Sequence, residues 1–410
     1  ILHSAFLQKT TLPSYFDSAE HYRIIRRISE MVSTGIPPSA PAGQPYYHAG
    51  YHLAAAALSH FFHIHILDVM LVFGQVVLAI LPLSLFFIVR RETGSLAAGL
   101  LSVLLAGFGW HMPSHAVNWG KYPALLSLSG IHFVLSLGSA LARHPSDDRR
   151  AKMALLMGAG IVASILIHTR SAFVYAGMGL ALLATVIWRR SPANLQRMMF
   201  GLAVCGLAAG IGLINNNPTL APLLGGYMHG DAWMLVLALA FMPFAIKRHA
   251  ELSLFIITSQ VLFFLALFLP IAPPGFGVLT ILDRPYAQML AYLPLSLISG
   301  LGLSGLLKWI SRLFPRSNLP ARLTVFSLFG LVIVNASLHH DFYPSDCCQF
   351  ASRDDLAALT WLDASLPPGA TILIASSAFH VTAREPASAQ AGADAGIWIP
   401  ALTSRAVTLL

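Results

Sequence analysis

The residues best suited to chemistry stand in short polar stretches between long apolar runs. In Tyr15-Phe16-Asp17-Ser18-Ala19-Glu20-His21-Tyr22, two carboxylates lie three residues apart. If Ser18 starts a helix, Asp17 and Glu20 sit at its N-terminus, where backbone N–H groups favour a carboxylate or a metal-bound anion. An ordinary helix cap is the other reading of that spacing. His48 and His52, in Tyr46-Tyr47-His48-Ala49-Gly50-Tyr51-His52, share one helical face and suit a metal, although with 17 histidines in the chain such a pair also arises by chance. Cations then come one per stretch: Lys121 in Asn118-Trp119-Gly120-Lys121-Tyr122-Pro123, Arg170 in His168-Thr169-Arg170-Ser171, and Arg284 in Leu282-Asp283-Arg284-Pro285-Tyr286. Each alone suits an anchor that snorkels to lipid head groups. Three together suit a phosphate or pyrophosphate held at a membrane surface.

The elements that must position these groups are membrane helices. Hydrophobic residues make up 56% of the 410-residue chain and charged residues only 10%, with a mean hydropathy of +0.69. That balance excludes an ordinary soluble globular domain. Apolar runs near the roughly 20 residues a spanning helix needs predict ten spans: 66–89, 95–110, 123–142, 153–167, 172–188, 199–214, 232–246, 252–271, 289–307 and 323–336. His168-Thr169-Arg170-Ser171 breaks a stretch too long for one span, so two helices are expected there.

Basic residues orient the spans. Arg90 and Arg91; Arg143, Arg149, Arg150 and Lys152; Arg189, Arg190 and Arg197; Lys247 and Arg248; and Lys308, Arg312, Arg316 and Arg322 put fifteen of the 25 Lys and Arg into every second connection. Those connections are assigned to the cytoplasm. Residues 1–65 and 338–410 are then expected outside it, flanking a transmembrane domain over 66–337. The formal charge of +8 is a topology signal and not a nucleic-acid footprint, because no aromatic stacking surface accompanies it. Cys205, Cys347 and Cys348 define no disulfide framework. The chain opens at Ile1 without a methionine, and both ends read as interrupted.

After Ser337 the pattern changes. Ser352 to Leu366 predicts an amphipathic helix with a Ser352/Asp355 capping box and Leu356, Leu359 and Leu362 on its buried side. Pro367-Pro368-Gly369 predicts a turn and Thr371 to Ala375 a buried strand. A small extracytoplasmic α/β domain, cut off near Trp398 to Arg405, is expected.

This order of features resembles the GT-C superfamily of membrane glycosyltransferases, which includes lipid-linked sugar transferases such as the protein mannosyltransferases. The resemblance rests on residues 16–22, 47–52, 120–123 and 283–286 and on the outer segments around Trp361 and Trp398. It implies an all-α polytopic fold with an acidic motif in the first outer loop. The acidic pair here is Asp-x-x-Glu, where adjacent carboxylates or Asp-x-Asp are commoner. The implied activity is transfer of a sugar from a polyprenyl-phosphate donor to an acceptor outside the cytoplasm, in a bacterial plasma membrane. Asp17 would be the general base, with Glu20 and His21 orienting it or holding a divalent ion such as Mg or Mn through Asp17 and Glu20. Lys121, Arg170 and Arg284 would hold the donor phosphate, and Tyr47, His48, His52, Trp398 and Arg405 would position the acceptor. A transporter or flippase, with its polar site near the membrane midplane, and a non-catalytic assembly protein are the alternatives. His132 is the main ionisable residue deep in a span.

Overall fold

The computed structural model describes residues 2–35, 48–142, 147–228, 232–272, 278–380, 388–403 and 405–409. Three helices come first: α1 (Leu2–Lys9), the amphipathic α2 (Phe16–Thr34) and α3 (Gly50–Phe62). The bundle follows, with α4 (Ile66–Thr93), α5 (Leu96–Leu104), a π turn over Leu105–Gly109, the short α6 (His115–Asn118), α7 (Tyr122–Leu141), α8 (Asp147–Ile167), α9 (Ser171–Arg190) and α10 (Ala193–Asn215). It continues through α11 (Ala221–Met228), α12 (Ala232–Arg248), α13 (Ala250–Ala266), α14 (Arg284–Leu290), α15 (Tyr292–Leu313) and α16 (Leu319–His339). Between α13 and α14 the strands β1 (Pro270–Ile271) and β2 (Leu279–Thr280) pair antiparallel.

Each of the ten apolar runs overlaps a helix, but fewer than ten helices suffice to cross a bilayer. Among the described residues, seven are long and apolar enough: Ile66–Thr93, Tyr122–Leu141, Arg149–Ile167, Ser171–Arg190, Ala193–Asn215, Arg284–Leu313 and Leu319–His339. There are eight if α11 and α12 count as one broken span. Length and composition thus give seven or eight of the ten expected spans. At about 1.5 Å per residue, Leu96–Gly109 and Ala250–Ala266 fall short of a hydrocarbon core roughly 30 Å thick. The expected break is present, since α8 ends at Ile167 and α9 starts at Ser171. Leu155, Val162 and Leu166 on α8, Leu202 and Leu213 on α10, and Phe326 and Leu331 on α16 are all exposed. Such apolar belts suit contact with lipid, and the chain is an integral membrane protein. His132 inside α7 is fully engaged: its ring meets Ser84 Oγ at 2.7 Å, the Leu81 carbonyl at 2.9 Å and Tyr292 Oη at 2.8 Å.

Because chain direction alternates through the bundle, its two ends differ in kind. One end carries Arg90, Arg91, Arg189, Arg190, Lys247 and Arg248 at helix C-termini. There Arg189 donates twice to Glu251. The other end carries the turns before α7, α9 and α14, the segment after α16, and α2 and α3. Every sequence-predicted site residue in the described part of the chain belongs to this end or to the C-terminal segment docked on it.

The C-terminal segment holds α17 (Arg353–Ser365), β3 (Thr371–Ile374), β4 (Ser376–His380), β5 (Ser388–Gly392), α18 (Ile399–Leu402) and β6 (Ala406–Leu409). Strand β3 runs parallel to β6, and β4 antiparallel to β5. The Ser352/Asp355 capping box starts α17 as the sequence predicts. The strand over Thr371–Ile374 forms but alternates exposed with half-buried residues, because a two-stranded sheet leaves it open; the expectation of a buried strand is corrected. The segment docks on α2: Trp398 is buried against Tyr22, and the Arg26 guanidinium donates to the Ala401 carbonyl at 2.9 Å.

Candidate functional site

The N-terminus of α2 is held from both sides. Tyr15, at φ +69°, turns the chain into the helix, and its N–H donates to the Cys348 carbonyl at 2.9 Å. Asp17, in the first turn, reaches across to Lys121 and forms an ion pair. Lys121 follows a turn at Gly120, which adopts φ +61°. A Cβ there would come 2.5 Å from Ser18 Oγ and 2.9 Å from the Ser14 carbonyl, so glycine alone seats this turn against α2.

The histidines arrive from α3 and the end of α8. At Gly50 a Cβ would meet the backbone of Leu166 and Ile167 at 2.8 Å, so α3 starts directly against the α8 C-terminus. That approach sets the His48 ring 4.4 Å from the His168 ring, which stacks at 4.7 Å on Tyr286. The Tyr286 hydroxyl lies 3.0 Å from Ser127 Oγ and 3.1 Å from Ser171 Oγ. His21, one turn beyond Asp17, places Nδ1 3.0 Å from His52 Nε2, and His52 Nδ1 lies 3.2 Å from the His48 carbonyl. Arg170 pairs with Asp283 at 3.0 Å, and Asp283 also caps α14 by accepting from the Tyr286 N–H at 3.0 Å.

These groups surround a cavity of about 110 Å³, whose polar lining is Lys121, Arg170, Asp283, His21, His48 and His168, with Tyr286 and Met289 among its walls. Burial pushes the His48 imidazole down to about 4, helped by His52 and Arg170. Burial likewise holds His52 near 4, against a hydrogen bond to the His48 backbone that works the other way. His21 and His168 lie well below the usual histidine range, first through burial and then through neighbouring imidazoles and cations. At neutral pH the cavity therefore offers two permanent cations, each beside a carboxylate, among uncharged imidazoles. Such a lining fits an anionic group with oxygen acceptors, such as a phosphate.

Asp17, His21, His48, Lys121 and Arg170 are brought together, with His52 behind His21. The remaining expectations part from them. Glu20 turns outward to Arg23 at 3.0 Å, both half exposed. Arg284 sends its guanidinium to the Thr219 carbonyl at 3.5 Å and does not line the cavity, because Asp283 takes the capping position and rotates the next residue away. The two ring nitrogens of His52 face His21 and the His48 backbone, and among the described residues no metal-capable cluster of three includes His48 or His52. Arg405 donates to the carbonyls of Asp363, Leu366 and Pro367 at 2.9 to 3.0 Å, closing the end of α17. Trp398 is interface packing. Neither lines the cavity. Tyr47 lies outside the described residues.

Sequence reasoning quoted Asp283, Tyr286 and His168 within their stretches but gave them no role. The usable signal was the Asp-x-Pro start of a helix at 283–285, which marks Asp283 as an N-cap facing the loop. The Mg or Mn ion implied by the resemblance finds a poor donor set. Asp17 and Glu20 are each engaged by a cation, Lys121 and Arg23, and no third carboxylate joins them among the metal-capable clusters of the described residues.

Fold and site together define a polytopic helical membrane protein with a polar cavity at one end of its bundle. The chain belongs to a family of unknown function (DUF6541), which its residues 5–226 match. That range holds every cavity residue named here except Asp283, Tyr286 and Met289. No curated protein matches it. Among solved structures it is similar to an oligosaccharyltransferase of Archaeoglobus fulgidus in complex with Zn and sulfate, at 14% identity and a TM-score of 0.58. The likeness covers 97% of this chain and 59% of the archaeal one, and it establishes a shared fold.

Proposed function

We propose that the chain transfers a sugar from a polyprenyl-phosphate carrier to a hydroxyl acceptor on the membrane face away from the cytoplasm. The observation that carries this reading is the cavity itself. Two cations, Lys121 and Arg170, converge on about 110 Å³ at the end of an apolar bundle, each held in advance by a carboxylate, Asp17 or Asp283. The fold shared with an oligosaccharyltransferase supports it, as does the satisfied state of His132, which leaves no open polar site at that point within the bundle.

The chemistry follows from partner exchange. A polyprenyl phosphate entering the cavity competes with Asp17 for Lys121 and with Asp283 for Arg170. The phosphate charge builds up as the sugar–oxygen bond breaks, so these cations stabilise the transition state more than the ground state. The acceptor oxygen bonds to the anomeric carbon, the phosphate leaves with the bonding electron pair, and Asp17, released from Lys121, takes the acceptor proton. His21 and His168 stay neutral and exclude bulk water. The lipid tail lies along the exposed apolar helices.

Membranes containing Asp17→Asn, assayed with labelled polyprenyl-phosphate sugars, test the reading. Transfer is expected in wild type and lost in the variant. Absence of transfer by the intact full-length protein over a range of donors, or undiminished transfer by Asp17→Asn, overturns it.

A further inference from the structure

A second cluster of ligating side chains lies at the same end of the bundle, outside the cavity. Asp341 Oδ2 stands 2.7 Å from His115 Nδ1 and 3.6 Å from His111 Nδ1. The three candidate ligand atoms lie within 4.8 Å of one another, and the two imidazole rings are 4.0 Å apart. We propose that His111, His115 and Asp341 form a binding site for a zinc-class divalent transition metal that staples the segment after α16 to the turn leading into α7.

Three features support this assignment. The donor set is two imidazoles and one carboxylate, a combination that favours Zn over Mg or Ca, which prefer oxygen alone. The spacing is close to that required, since ligand atoms about 2.0–2.1 Å from a tetrahedral ion stand roughly 3.3 Å from one another. The ligand-bearing segments are also tied together: Asn118, fully buried, accepts the Ser345 N–H at 3.0 Å, so the loop bearing Asp341 and the helix bearing His115 are already held in register. Cys347 and Cys348 form an alternative triplet with His115. His115 is common to both, and the carboxylate triplet is the one that draws in His111.

The placement gives the ion a task. His111 and His115 precede Lys121 in the connection between the π turn and α7. Asp341 begins the segment whose Cys348 carbonyl accepts from Tyr15 and whose Phe350 ring packs on Phe16 at 4.6 Å. An ion here clamps together the two pieces of chain that present Asp17 and Lys121 to each other, without entering the cavity.

The test uses the full chain in detergent, stripped with a chelator and titrated with ZnCl2 by calorimetry, with bound zinc counted by elemental analysis. One zinc per chain is expected, together with a rise in the thermal unfolding midpoint. Asp341→Asn, nearly isosteric, and His111→Gln should each weaken binding at least tenfold and abolish that rise. The Cys347→Ser/Cys348→Ser double variant should bind as wild type, and the cobalt-substituted protein should show tetrahedral d–d bands without sulfur-to-metal charge transfer. No zinc uptake by wild type, undiminished uptake by Asp341→Asn, or loss of uptake in the double cysteine variant overturns the proposal. None of these readouts depends on sugar transfer.

Discussion

The two ends of the helix bundle use the same ion-pair chemistry to opposite effect. At the basic end, Arg189 and Glu251 meet at 2.7 Å with 63% and 47% of their side chains exposed, and water screens the pair. At the cavity end, Arg170 and Asp283 meet at a similar distance but are 24% and 30% exposed, and Lys121 with Asp17 is nearly as enclosed. A cation held in a poorly hydrated pocket exerts a stronger field on an incoming anion. Counting basic residues cannot separate the two cases, whereas enclosure and convergence do.

The contrast is broken most severely at Asp17. Asp17→Asn removes the proposed base, and a loss of transfer of about 10² or more is expected, measured with labelled donor in membranes. Lys121→Met should also reduce transfer, because it removes a cation from the phosphate subsite. Arg170→Ala is expected to weaken donor binding by roughly one order of magnitude, the worth of a charge-assisted contact, as read by competition with a non-transferable polyprenyl phosphate. Arg284→Ala should leave that affinity nearly unchanged, since its guanidinium turns to Thr219.

That last pair of expectations shows what sequence could and could not supply. Apolar runs and the basic alternation made the membrane bundle legible, including the break at His168–Ser171, because hydrocarbon thickness constrains sequence strongly. Span length was less legible: the run at 95–110 forms a helix over Leu96–Gly109, closed by a π turn and by Trp110, whose indole N–H donates to Ser296 Oγ at 3.0 Å, and is too short to cross a hydrocarbon core by itself. Within the site, Asp17, Lys121 and Arg170 stood out as charges in apolar surroundings. The choice between Arg284 and its neighbour Asp283 did not, since it depends on which residue takes the N-cap. His168 was hidden for another reason. Its role comes from Gly50 admitting α3 against α8, a contact over a hundred residues apart that no local pattern encodes.

The cavity end is also expected to respond to pH through its buried histidines. His48 and His52 titrate near 4 in the folded chain and near 6.5 when unfolded. Between those values the unfolded state binds more protons, so the stability present above about pH 6.5 is lost as pH falls toward 4. The loss is on the order of 3 kcal/mol for each ring at most. Thermal unfolding of the full chain in detergent across pH 4 to 7 measures it, and His48→Gln should flatten the curve. A steeper curve in that variant would place the titrating group elsewhere.

Smaller effects sharpen the comparison further. Gly120→Ala forces a side chain into φ +61° and against Ser18, which should cost about 1–3 kcal/mol and lower transfer by displacing Lys121 from Asp17. Arg189→Ala at the opposite end removes two hydrogen bonds to Glu251, more than Gly120→Ala removes, yet the expected change in stability is less than about 1 kcal/mol. Glu251, already 47% exposed, is left hydrated when the arginine is removed. Transfer should be unaffected, because nothing in the cavity leans on α9's C-terminus. If Arg189→Ala lowered transfer as much as Gly120→Ala, the division of the bundle into a topological end and a chemical end would fail, and coupling through α9, from Arg189 back to Ser171 and Tyr286, would have to replace it.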